Sequence, residues 1–120
     1  MIIRRLNKCK KFISRDNAIL RELLHPAKGD FRFRYSLAHA VVKPGKDTRP
    51  HVLKTTEVYY ILKGCGLMYV DKEASRVSSG CAVYIPPHST QHIRNTGKSD
   101  LVFLCIVDPA WRKEDEEVTK

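Results

Sequence analysis

No apolar run in this chain approaches the roughly 20 consecutive residues that a membrane-spanning helix needs, so no membrane segment is expected. Met1-Ile2-Ile3 is followed at once by Arg4 and Arg5, with no apolar leader ahead of a small-residue cleavage site; a cytoplasmic location is the expectation. Cysteine is sparse. Cys9, Cys65, Cys81 and Cys105 include no C-x-x-C pair, and three of them fall in or beside expected strands, where a free thiol behaves as a small hydrophobe. Reduced, structural thiols are therefore expected. Internal repeats, low-complexity tracts and linkers are also missing. The 120 residues suit one domain, 1–120, with a single apolar core.

Positive charge, by contrast, is plentiful: 22 Lys and Arg against 13 Asp and Glu leave a net charge of +9. Six basic residues (Arg4, Arg5, Lys8, Lys10, Lys11 and Arg15) precede the first acid, Asp16. Such a balance is a first sign of nucleic-acid binding. No helix-turn-helix, zinc-finger spacing or aromatic-basic stacking pattern accompanies it, so a solvated basic face, or a field that draws in anionic metabolites, is the better reading. The acidic run Glu114-Asp115-Glu116-Glu117 reads as a solvated tail.

Between these charged ends the pattern is that of strands. Residues 31–42 alternate, with Phe31, Phe33, Tyr35, Leu37, His39 and Val41 on the apolar face. That parity predicts an inward His39. Apolar runs at 58–62, 67–70, 81–85 and 101–107 are separated by turn signals at Gly64, Asp71-Lys72-Glu73, Gly80, Pro86-Pro87 and Asn95-Thr96-Gly97. Residues 18–24 fit a helical stripe as well as a strand, but Asp16-Asn17 before them makes a tight turn, and strand is expected. Regular short strands argue for an all-β sandwich or barrel.

Two glycine-anchored segments carry the chemistry. The first reads Gly45-x5-His51-x-Leu53-x3-Glu57-x6-Gly64, the second Gly80-x5-Pro86-x-His88-x2-Gln91-x3-Asn95. Strands of a barrel would aim this imidazole, carboxylate and amide at one interior point, which suits a divalent metal. On the strand after Pro86-Pro87, the apolar Ile93 belongs inside, so Gln91 shares its inward face and His92 points out. A one-residue slip would bring His92 into the pocket in place of Gln91. By parity with Glu57, Tyr59 offers its hydroxyl to a ligand.

The two segments resemble the paired motifs of the cupin superfamily, Gly-x5-His-x-His-x3–4-Glu-x6-Gly and Gly-x5-Pro-x-Gly-x2-His-x3-Asn. Matched positions are Gly45, His51, Glu57, Gly64, Gly80, Pro86 and Asn95. Departures are Leu53 for the second histidine, His88 for the turn glycine and Gln91 for the last histidine. The resemblance implies a double-stranded β-helix, or jelly-roll barrel, over about residues 31–108. It also implies a frequent homodimer, often with Fe, Mn, Ni or Zn at the barrel mouth. It suggests a metal site of His51, Glu57 and Gln91, with Glu57 or His39 moving protons and Tyr59 and His92 as pocket residues. Sugar isomerase or epimerase chemistry and dioxygenase chemistry both fit that frame. So does a non-catalytic pocket that binds a sugar or another small molecule without metal.

Overall fold

A computed structural model describes residues 1–119. Its strands are β1 (Lys11–Ile13), β2 (Ile19–Leu24), β3 (Ser36–Val42), β4 (His51–Leu53), β5 (Thr56–Lys63), β6 (Cys65–Val70), β7 (Glu73–Ser78), β8 (Ala82–Ile85), β9 (Thr90–Asn95), β10 (Leu101–Asp108) and β11 (Glu116–Val118). Only short 3-10 turns interrupt them, and no helix among the described residues is long and apolar enough to cross a membrane.

The strands form two antiparallel sheets, ordered β1-β2-β3-β10-β5-β8 and β11-β4-β9-β6-β7. They pack face to face: Tyr59, Ile61, Leu101 and Phe103 of the first meet Met68, Val77 and Ile93 of the second in one apolar core. Phe103 is fully buried, with its ring 4.5 Å from that of Tyr59; truncation to Ala should cost ~3–5 kcal/mol. The all-β jelly roll expected from the sequence is thus present, as two sheets whose edges stay open at β1, β8, β11 and β7.

Residues 18–24 adopt the strand conformation, and Asn17 turns the chain into β2 at φ 76°. β3 departs from expectation. It begins only at Ser36, and its even positions face inward: Ser36, Ala40 and Val42 are buried. The larger odd residues Leu37, His39 and Val41 lie on the outer face. Alternation defines two faces without saying which is inside. Here the inner face borders a cavity, and the smaller side chains leave room for it. Phe31, Phe33 and Tyr35 precede β3 and stack on one another, with ring centroids 4.9 and 4.4 Å apart.

The chain turn between β5 and β6 depends on Gly64. Its φ is +87°, and an added Cβ would lie 2.6 Å from the Asp100 carbonyl oxygen. At the turn before β9 the left-handed position is taken by His88, at φ 66°. Its amide donates to the Leu53 carbonyl at 2.7 Å, fixing the entry to β9 against β4.

Candidate functional site

A cavity of about 520 Å³ opens between the sheets. On the first sheet, Glu57 and Tyr59 of β5 project inward. The register sets Val107 and Ser36 in the same row as Glu57, and Cys105 and Ala38 in the same row as Tyr59. On the second sheet β4 supplies His51 and Leu53, with His51 opposite Gln91 of β9. Asp16 from the β1–β2 turn and Glu116 of β11 complete the polar wall.

His51 is 2% exposed. Its Nδ1 lies 2.8 Å from the Arg49 carbonyl oxygen. A carbonyl only accepts, so Nδ1 carries a proton, and in the neutral ring the lone pair is at Nε2. The Asp16 carboxylate stands 3.6 Å from the same Nδ1. Asp16 is itself held: its Oδ1 accepts from the Ser14 hydroxyl, and its carbonyl accepts from the Arg49 amide at 2.7 Å. The hairpin tip therefore braces the loop that presents His51.

Glu57 is 5% exposed, and its Oε1 has no hydrogen-bond partner among the described residues. Burial pushes its carboxyl up to about 8, the charges of Asp16 and Glu116 push the same way, and the Gln91 side chain beside it opposes. At neutral pH Glu57 is thus mostly an uncharged acid with one buried oxygen unpaired. The Tyr59 hydroxyl donates to Gln91 Oε1 at 3.0 Å, which leaves the Gln91 amide nitrogen for Glu57. Burial, above all, pushes the Tyr59 hydroxyl and the Cys105 thiol upward, so both keep their protons. Glu116 is raised too, chiefly by burial, and its outer oxygen meets Arg15 Nη1 at 3.5 Å.

Of the residues expected at the site, His51, Glu57 and Tyr59 line the cavity. Gln91, 1% exposed, is buried behind Tyr59 and Glu57 and does not reach the cavity wall. Two expectations need correction. His39 lies on the outer face of its sheet beside Arg21, its register partner, because the parity of β3 is reversed. His92 also lies outside the cavity, its ring stacked on Tyr69 at 4.2 Å, because Ile93 keeps β9 in the unslipped register.

Two residues entered without warning. Asp16 had the look of a turn residue, and Glu116 of a solvated tail. Instead β11 pairs with β4, Glu116 opposite Leu53 and Val118 opposite His51, and the Glu116 side chain is only 7% exposed. The apolar Val118 two places beyond Glu116 was the available signal for a strand.

A resident divalent metal would need three or more donors converging in the cavity. Leu53 is apolar and buried. Gln91 is buried away from the cavity wall, and its carbonyl oxygen, its one ligating atom, already accepts one hydrogen bond from Tyr59. One imidazole, of His51, and one carboxyl group, of Glu57, remain of the expected set. Among the described residues no three His, Cys, Asp or Glu side chains gather as a metal-holding group. The donors do not fit a resident divalent ion.

Fold and cavity together define a jelly roll whose two sheets enclose an interior cavity. The model of the cupin domain matches residues 38–107, and the chain belongs to that family. It is 43% identical over 115 residues to an uncharacterized protein of Methanocaldococcus jannaschii, covering 93% of this chain and 90% of that one. It is 29% identical over 89 residues to a glucose-6-phosphate isomerase of Thermococcus kodakarensis, covering 70% of this chain but only 42% of the isomerase. Among solved structures, a cupin barrel protein of Salinispora arenicola superposes with a TM-score of 0.78 at 19% identity, covering 95% of this chain and 91% of its own. That likeness establishes the fold alone.

Proposed function

We propose that the cavity binds a small polar metabolite and moves protons on it without a resident metal. The observation that carries this reading is the buried, uncharged Glu57, whose Oε1 has no partner while its neighbours Gln91 and Tyr59 are bonded to each other. A carboxyl group held near neutrality is suited to give a proton to a carbonyl or hydroxyl oxygen. His51, with its proton fixed at Nδ1, offers Nε2 as the matching base. An acid and a base on opposite sheets suit proton transfer of the isomerase or epimerase type. General acid–base catalysis of this kind contributes about 10²–10⁴-fold in rate. The partial likeness to a sugar-phosphate isomerase agrees with this class of reaction, although that enzyme is more than twice as long as the aligned stretch.

The test has two arms. Metal content is measured on protein purified without chelator, as wild type and as His51→Ala. Substoichiometric metal, unchanged in the variant, is expected; one metal per chain that disappears in His51→Ala overturns the metal-free reading. In the second arm, aldoses and ketoses are incubated with the protein in D₂O and solvent exchange at the carbon beside the carbonyl is followed by NMR. Exchange that is lost in Glu57→Gln supports the assignment. Saturable binding with no exchange for any of them makes the cavity a binding pocket.

A further inference from the structure

A second hollow lies outside the barrel. The N-terminal residues run past β2 and the 3-10 turn at Pro26–Lys28, enclosing with them a cleft of about 440 Å³. Arg4, Arg5, Lys8 and Lys28 face it, against a single carboxylate, Glu22. That carboxylate is already committed to Lys28, at 2.6 Å. Four cations along one bounded cleft repel one another and focus a positive potential into it. An anion of matching size relieves both.

The cations are arranged in two ways. Arg4 is held in position: Nη2 donates to the Lys28 carbonyl at 3.2 Å, and the guanidinium lies 5.8 Å over the Phe31 ring. The side chains of Arg5 and Lys8 are exposed and make no ion pair among the described residues. One preset guanidinium fork beside two free cations is the chemistry that recognises a doubly charged oxyanion. The remaining wall is apolar, from Ile3, Leu23 and Phe31, and would receive the uncharged body of a ligand. His25 plays no part in charge recognition: Nε2 donates to the Trp111 carbonyl at 2.9 Å, and Nδ1 accepts from the Ala27 amide at 3.1 Å.

We propose that this cleft is an anion site for the phosphate group of a small phosphorylated metabolite. A volume of a few hundred Å³ is in the range of small-molecule pockets. The cations are gathered in one hollow and not in the extended stripe that single-stranded nucleic acid uses, and Phe31 in its wall already lies under the Arg4 guanidinium. The site stands apart from the chemistry assigned to the barrel, yet the two hollows share a wall. Glu22 and Lys28 line both, so an anion that draws Lys28 away from Glu22 changes the charge at the barrel mouth.

The test is an NMR titration of the full chain, labelled with ¹⁵N, with inorganic phosphate at constant ionic strength. Saturable shifts confined to the amides of residues 3–9 and 22–31 are expected at millimolar phosphate. The double variant Arg5→Ala/Lys8→Ala should keep its spectrum and melting temperature and bind phosphate about tenfold more weakly or worse. Three outcomes overturn the proposal: no saturable shift, an unchanged affinity in the double variant, or equal response to chloride. A fourth is binding only of a short single-stranded RNA, with steep salt dependence, which would make the patch a nucleic-acid surface.

Discussion

Tyr59 of β5 donates its hydroxyl hydrogen to Gln91 Oε1 of β9 at 3.0 Å, and this one bond ties the first sheet to the second directly behind the cavity. Both partners are fully enclosed, so neither has water to fall back on. Tyr59→Phe leaves the Gln91 carbonyl unsatisfied and should cost ~1–3 kcal/mol in urea unfolding. Combining Tyr59→Phe with Gln91→Leu should cost clearly less than the sum of the two single changes, because it removes both ends of the bond. Additive losses would mean the bond contributes nothing as a pair.

Gln91 does not reach the cavity wall, and Leu53, which does, offers no donor atom. Restoring imidazoles at both places, Leu53→His with Gln91→His, should convert the pocket into a metal site. Near-stoichiometric metal in the double variant, against substoichiometric metal in the wild type, is the expected result by mass spectrometry. A double variant that folds and still takes up none would show that the backbone no longer presents the ligand geometry.

Stability should fall with rising pH through Glu57. Its folded carboxyl titrates at about 8 against an ordinary 4.5. Between those values the folded state binds the proton more tightly than the unfolded state, so ∂ΔG/∂pH is negative. The stabilisation is fully present below about 4.5 and is lost as pH rises to about 8. Urea midpoints measured from pH 5 to pH 9 should therefore decline in the wild type and decline less in Glu57→Gln. Parallel profiles would remove Glu57 as the cause.

Gly64 and His88 make an opposed pair. Gly64→Ala places a Cβ 2.6 Å from the Asp100 carbonyl oxygen at φ +87° and should destabilise by more than ~1 kcal/mol. His88→Gly relieves a left-handed residue at φ 66° and should stabilise by up to about 1 kcal/mol. Thermal melts of both variants give the comparison, and equal signs would contradict it.

Deleting residues 112–120 removes β11 and exposes the free edge of β4. Amide exchange at His51, Val52 and Leu53 should accelerate, while that of Ile61 and Phe103 in the core stays slow. Global acceleration would mean that β11 supports the whole fold.

Much of this arrangement was legible in the sequence. The spacing of Gly45, His51, Glu57, Gly64, Gly80, Pro86 and Asn95 is enough for the jelly roll and for the cavity positions of His51 and Glu57. Ile93 is enough to settle which way Gln91 and His92 point, since an apolar residue on a short strand identifies its buried face. β3 could not be resolved in the same way. Both of its faces are apolar, and the smaller one turns inward because it borders a hollow, a fact that belongs to the opposite wall and not to β3. Asp16 and Glu116 were illegible for a related reason. Carboxylates in a turn and in an acidic run look solvated until long-range pairing buries them, and Glu116 lies 65 positions after His51.

That distance also has a bearing on how the protein is made. The Arg49 amide beside His51 rests on the Asp16 carbonyl, and the Thr119 amide donates to the Pro50 carbonyl at 2.9 Å. A nascent chain that has emerged as far as β10 already holds every residue of the two glycine-anchored motifs and β9, which pairs with β4 on one side, but not β11, which pairs with it on the other. Translation thus delivers the motif first and its outer support later. A ribosome-bound intermediate should contain a recognisable jelly roll whose β4 edge is still open.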